Sequence, residues 1–141
     1  MSDARLPLTG GCGCGAVRFE VDAPPVEAGY CHCHRCQRRT GTAAGVSARL
    51  EPGSLRITSG EDMIRAWEPE GGNPKAYCSA CGSGLWAHPP GEPEAKAVRM
   101  GAFDEDPGIR PSYHQWLDSA APWEPIPDDG LPRFAGPRPR P

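Results

Sequence analysis

Apolar and polar residues alternate with a period of two along most of this chain. Val17, Phe19 and Val21 alternate with Arg18 and Glu20, the pattern of a half-buried strand. Comparable short strands are expected at Thr42 to Ala48, Ser54 to Thr58, Met63 to Glu68, Lys75 to Cys78, Gly84 to Ala87, Ala95 to Met100 and Tyr113 to Leu117. Turn signals separate them: Glu51-Pro52-Gly53, Ser59-Gly60, Glu70 to Pro74, His88 to Gly91 and Asp106-Pro107-Gly108. One short helical turn is expected over His34 to Thr40, and no repeat or heptad is visible. From Ala135 to Pro141 the chain reads Ala-Gly-Pro-Arg-Pro-Arg-Pro, which offers neither a core face nor a hydrogen-bonding ladder. The expected organisation is one domain over 1–134 followed by a Pro/Arg-rich flexible tail over 135–141, whose arginines could touch an acidic partner.

Composition sharpens this picture. Glycine and proline supply 18 residues each of 141, about a quarter of the chain, which argues against a helical bundle. With 38% hydrophobic and 7% aromatic residues the core must be small. Seven cysteines then provide the staple that a weak core requires. The expected fold is mostly β: a small, metal-stapled single domain with short irregular elements. A net charge of −3 provides no global field for nucleic acid or an anionic membrane, and no stretch approaches the ~20 apolar residues of a membrane helix. Met1 to Gly11 contains Asp3 and Arg5 and no apolar run, so it does not read as a signal peptide, and a cytoplasmic location is expected. Disulfides are rare in that reducing compartment, and an odd count pairs incompletely, so metal ligation becomes the default reading of the cysteines.

The cysteines form three clusters: Cys12-Gly13-Cys14, Cys31-His32-Cys33-His34-Arg35-Cys36, and Cys78-Ser79-Ala80-Cys81-Gly82. A Cys-x-x-Cys turn places two sulfurs on one ion, and a following glycine lets the backbone curl around it. In an extended Cys-x-Cys segment both sulfurs project to one face, so His32 and His34 would both point away from them. Thiolate ligands suit zinc; an iron–sulfur cluster uses the same ligand type, but no standard ferredoxin spacing occurs. Seven thiols divide naturally into a closed set of four and an open set of three. Spacing alone leaves the division open, since either doublet could pair with part of the triplet. A histidine (His88 or His114) or an acidic side chain could also close the three-thiol set.

The arrangement resembles the glutathione-dependent formaldehyde-activating enzyme family, which includes the centromere-protein-V-like domains. The matching residues are Gly10 to Phe19, Cys31 to Arg38 with Gly41, Lys75 to Ser83, Met100 to Asp104, His114, Pro122-Trp123 and Asp129 to Pro132. The order holds over roughly residues 8 to 134; Lys75 stands where arginine is usual. The resemblance implies an antiparallel, zinc-ribbon-like β-tent with two zinc ions. One would be structural on Cys12, Cys14, Cys78 and Cys81, and a more labile one would sit on Cys31, Cys33 and Cys36 with an open coordination position. It also implies carbon–sulfur lyase chemistry: addition of glutathione sulfur to formaldehyde to give S-hydroxymethylglutathione, and the reverse cleavage.

For that chemistry the residue types nominate His32, His34 and His114 as proton-transfer groups. Arg35 and Arg38 are expected to bind the thiol substrate's carboxylates. Trp86, Trp116 and Trp123 are candidates to line a cleft, with packing as their ordinary role. The partner expected is thus a small-molecule thiol. The competing reading is a non-catalytic zinc-binding module that holds a thiol ligand or a protein partner on the same scaffold.

Overall fold

The computed structural model describes residues 5–139. The ten strands are β1 (Leu8–Gly11), β2 (Arg18–Val21), β3 (Glu27–Cys31), β4 (Gly45–Arg49), β5 (Leu55–Ser59), β6 (Ile64–Trp67), β7 (Lys75–Cys78), β8 (Gly84–Ala87), β9 (Ala97–Arg99) and β10 (Pro111–Gln115). The one α-helix among the described residues, α1 (His34–Thr40), follows β3. Strands β1-β2-β5 form a small antiparallel sheet, and β10-β3-β4-β9-β8-β7-β6 form a larger one. All pairings in the large sheet are antiparallel except β10 with β3, which run parallel. The sheet is therefore mixed at that edge rather than antiparallel throughout.

Period-two patterning explains where the core sits. Register aligns Ala28 with Ala48, Ala48 with Val98, Val98 with Trp86 and Trp86 with Ala76 across five strands. These residues share one face and are all buried. Against that face packs the small sheet, through Leu8, Phe19 and Val21. Phe19 meets Trp86 edge to face at 5.9 Å and Phe103 at 6.2 Å. Such aromatic pairs add about 1 kcal/mol beyond the area they bury.

An ion pair closes the outer edge of the small sheet. Asp104 Oδ1 accepts from Arg18 Nη1 at 3.0 Å, and Asp104 Oδ2 accepts from Thr9 Oγ1 at 2.6 Å. The Arg18 guanidinium, followed by the Thr9 hydroxyl, holds the Asp104 carboxyl below its ordinary range. Its stabilisation is therefore complete above the unfolded value near about 4 and disappears as pH falls through the lower folded value. Both side chains are more than a third exposed, so screening limits the effect to about 1 kcal/mol or less. Asp104→Asn should lower denaturant stability by that amount at neutral pH and by nothing measurable well below pH 3. A gap that persists in acid would show that the ion pair is not its source.

The segment after residue 130 differs from expectation. His114 N donates to Pro132 O at 2.9 Å, Phe134 N to His114 O at 2.9 Å, and Trp116 N to Gly136 O at 2.9 Å. The segment thus pairs along the open side of β10 and covers an edge that would otherwise be bare. Arg138 continues the docking: its backbone N donates to Gln115 Oε1 at 2.9 Å, and its guanidinium lies 4.5 Å over the Tyr113 ring and pairs with Glu27. Residues 135–139 are therefore anchored rather than a free tail, and the acidic group Arg138 meets belongs to this chain. The prolines that forbid a ladder are accommodated because the neighbouring residues carry the hydrogen bonds. Arg140 and Pro141 lie outside the described residues. Among the described residues no helix is long and apolar enough to cross a membrane.

Candidate metal centres and thiol cavity

Each cysteine doublet occupies or adjoins the turn of a hairpin. Cys12 and Cys14 lie between β1 and β2, where Cys12 N donates to Val17 O at 3.1 Å and Gly15 turns at φ 81°. Cys78 and Cys81 flank the start of the β7–β8 turn, where Gly82 N donates to Cys78 O at 2.7 Å and Gly82 turns at φ 81°. A side chain would strain that left-handed backbone, which explains glycine at both turns. Gly13 N donates to Ser83 Oγ at 2.9 Å and ties the two turns together. One hairpin belongs to the small sheet and the other to the large sheet, so the four sulfurs meet where the two layers join.

Those sulfurs lie within 4.8 Å of one another, with Cys12–Cys14 at 3.6 Å and Cys14–Cys78 at 4.0 Å. Tetrahedral zinc with bonds of about 2.3 Å requires sulfur separations of about 3.8 Å, so the set fits a structural zinc. Val17 N–H points at Cys12 Sγ from 3.2 Å, a donor that stabilises thiolate. Cys78 is buried while Cys14 and Cys81 are exposed, and no disulfide links any of the seven cysteines.

The second set forms where β3 runs into α1. Cys33 caps the helix: its Sγ accepts the Cys36 N–H at 3.3 Å, and Gly41 closes the other end at φ 71°. This turn brings the Cys31, Cys33 and Cys36 sulfurs within 4.8 Å of one another. The spacing fits three ligands of a zinc ion, and among the described residues no further histidine or carboxylate completes the group. The three thiols compete for charge, with Cys33 held low chiefly by a hydrogen bond from Cys31, whose own thiol is pushed up.

These sulfurs open onto a cavity of about 370 Å³ on the face of the large sheet opposite the core. That volume lies within the ~300–1,000 Å³ range of small-molecule sites. Register builds its floor: Cys31 pairs with Gly45, Gly29 with Ser47, Ser47 with Arg99, and Glu27 with Arg49. Two glycines in that floor make room. A Cβ on Gly29 would fall 2.1 Å from the Tyr113 ring, and one on Gly45 would fall 2.7 Å from Arg99 Nη1. Arg35 and Lys75 also line the cavity. Lys75 is only 7% exposed and donates to Asn73 O at 2.8 Å; burial pushes its ammonium below the ordinary lysine value.

The structure divides the other candidates. Arg35 lines the thiol cavity, whereas Arg38 lines a different hollow with exposed His34 and Trp123. None of the three histidines lines the cavity of the cysteine triplet. Alternation along β3 sends His32 to the opposite face, where its Nε2 meets His114 Nδ1 at 2.9 Å, and His114 Nε2 meets Asp129 Oδ2 at 2.8 Å. Tyr30 stacks on His114 at 4.7 Å. The His114 hydrogen bond holds the Asp129 carboxyl low, and burial holds His32 low. An ionised Asp129 accepts from His114 Nε2–H, and in the tautomer with the other ring nitrogen unprotonated His114 Nδ1 accepts from His32 Nε2–H. Trp86 is a core residue. Sequence reasoning missed Arg49, Arg99 and Arg138 as cavity residues, because only strand register and the docked C-terminal segment bring them beside the triplet.

Comparison with known proteins bears on this geometry. Residues 7–119 match the profile of a family described as glutathione-dependent formaldehyde-activating enzyme. A Halomonas elongata protein provisionally named a glutathione-dependent formaldehyde-activating enzyme is 30% identical over 124 residues, 82% of this chain and 78% of that protein. In fold, the chain is similar to the crystal structure of a Rhodobacter sphaeroides protein at 22% identity, with a TM-score of 0.58 over 89% of this chain and 98% of that one.

Proposed function

The chain belongs to the glutathione-dependent formaldehyde-activating enzyme family, and from that premise we propose that it is a zinc-dependent carbon–sulfur lyase acting on the adduct of formaldehyde with a thiol of the glutathione type. The observation that carries this reading is the three-sulfur group at the head of a small-molecule cavity, separate from the four-sulfur group between the layers. The four-sulfur set of Cys12, Cys14, Cys78 and Cys81 would hold one ion as a staple. Cys31, Cys33 and Cys36 would hold a second, which when bound favours a substrate thiol as its thiolate, the nucleophilic form.

The chain's own groups account for the rest. In the addition direction the sulfur–carbon bond forms as the carbonyl π bond of formaldehyde breaks, and the electron pair passes to oxygen. Lys75 Nζ, with one of its three donors used on Asn73, presents the remaining N–H groups to that developing alkoxide. Arg99, held by Ser47 Oγ at 3.3 Å, presents a planar donor to a substrate carboxylate. Cleavage retraces the path: the hydroxyl proton passes to water, its bonding pair becomes the carbonyl π bond, and the carbon–sulfur pair leaves on the sulfur as thiolate. His32 and His114 lie behind the sheet and have the position of supports.

Calorimetric titration of glutathione into protein carrying two zinc ions per chain tests the proposal. Saturable binding is expected, weakened at least about 100-fold in Cys36→Ser while the melting temperature changes little. Binding unchanged in Cys36→Ser would remove the thiol from the triplet. A collapse of stability in that variant would instead favour a closed, non-catalytic second zinc module.

A further inference from the structure

Five cationic side chains, Arg35, Arg49, Lys75, Arg99 and Arg138, line the thiol cavity against a single carboxylate, Glu27. The excess is local, because the whole chain carries a net charge of −3. We propose that the cavity selects a thiol bearing two or more carboxylates and no free amine, so that glutathione itself is the weaker ligand and an amine-blocked relative the better one. This rests on the reading of the triplet as the thiol site and adds the charge pattern of the thiol.

The cations fall into two groups. Lys75 and Arg99 retain unused donors: Lys75 spends one N–H on Asn73 O, and Arg99 makes one side-chain hydrogen bond, to Ser47 Oγ. Arg99 also reaches close to the sulfurs. The point where a Gly45 Cβ would stand is 2.7 Å from Arg99 Nη1 and 3.6 Å from Cys36 Sγ. An anionic group of a ligand held at the triplet therefore finds a guanidinium beside it. Lys75 is buried, and among the described residues no carboxylate lies at hydrogen-bonding distance from its ammonium, so a bound carboxylate would repay the desolvation it already bears.

An ammonium meets the opposite situation. The natural acceptor for it is Glu27, but that carboxylate already pairs with Arg138 and lies 3.8 Å from Arg49 Nη2. The Tyr113 ring could hold a cation on its face, yet Arg138 occupies that position at 4.5 Å. Gln115 Oε1 accepts from Arg138 N, and Ser47 Oγ from Arg99. A γ-glutamyl ammonium would thus enter among like charges, with the one carboxylate of the lining and the Tyr113 face already engaged by arginines. Like charges at close range repel, and more strongly near a protein surface than in bulk water. Blocking the amine should therefore raise affinity about tenfold or more.

The experiment compares glutathione, N-acetylglutathione and glutathione diethyl ester as ligands of the zinc-loaded chain by calorimetry, together with S-methylglutathione and its N-acetyl form. The expected order is N-acetylglutathione tightest, glutathione about tenfold weaker, and the diethyl ester weakest. Arg99→Gln should erase most of the advantage of the free acids over the ester. The S-methyl pair, which lacks a thiol, should be weaker overall but keep the preference for the acetylated amine. Glutathione binding as tightly as N-acetylglutathione, or more tightly, would overturn the charge proposal and leave the thiol site standing. S-methyl ligands binding as well as the thiols, with the acetyl preference intact, would overturn the thiol reading and keep the charge pattern. No binding by any of the five would overturn both.

Discussion

Cys78→Ser is expected to leave the chain unfolded at 25 °C. Cys78 is fully buried at the end of β7 and belongs both to the hydrophobic core cluster and to the four-sulfur group. A serine there removes one ligand and leaves a hydroxyl in an apolar setting. Structural zinc sites bind with about 10–16 kcal/mol, which matches or exceeds the ~5–15 kcal/mol total stability of an ordinary domain. The core of this chain is small, so little is left to hold the two sheets together once the junction opens. The predicted observation is loss of the tightly held zinc together with loss of a cooperative thermal transition in circular dichroism. A folded Cys78→Ser protein with an unchanged melting temperature would refute the four-cysteine zinc assignment.

His114→Ala should damage stability far more than thiol binding. His114 is 2% exposed and links three groups: Tyr30 by stacking, His32 through Nδ1 and Asp129 through Nε2. Removing the ring leaves the buried His32 N–H without an acceptor and releases Asp129, which anchors the turn before the docked C-terminal segment. Orphaned buried donors and the cavity together cost about 2–4 kcal/mol. For a domain of this size that corresponds to roughly 10 °C in melting temperature. Glutathione affinity of zinc-loaded protein should stay within about threefold of wild type. A variant that melts like wild type yet has lost turnover would instead give His114 a role in proton transfer.

Some of this architecture was legible from residue patterns alone. β7, β8 and α1 begin and end where alternation, turn glycines and the cysteine cluster place them. The strands that escaped, β1 and β3, are those whose positions are filled by glycine and alanine: Gly10 and Gly11 in one, Ala28 and Gly29 in the other. Small residues carry no strand signature, yet here they are required by contact. A Cβ on Gly10 would fall 2.4 Å from Ala102 O, as Gly29 makes way for Tyr113. The cysteine spacing revealed metal chemistry but left the partition open, because which turns meet is decided by how two sheets stack. The cavity was illegible for a related reason. Arg49 and Arg99 look like ordinary solvated strand residues until register sets them beside Cys31, and Arg138 lies in a segment whose prolines suggested a free tail.

The two faces of the large sheet have a consequence for how such a domain diversifies. Ala28, Ala48 and Val98 face the core, while Gly29, Ser47, Arg49 and Arg99 alternate with them along the same strands and face the cavity. Substitutions at Ser47, Arg49 and Arg99 would change the cavity lining without disturbing what the first group packs against, whereas Gly29 is held by its contact with Tyr113. Selection for a new thiol can therefore act on one set of positions while selection for a folded protein acts on the other. One backbone can thus be retained through many changes of substrate.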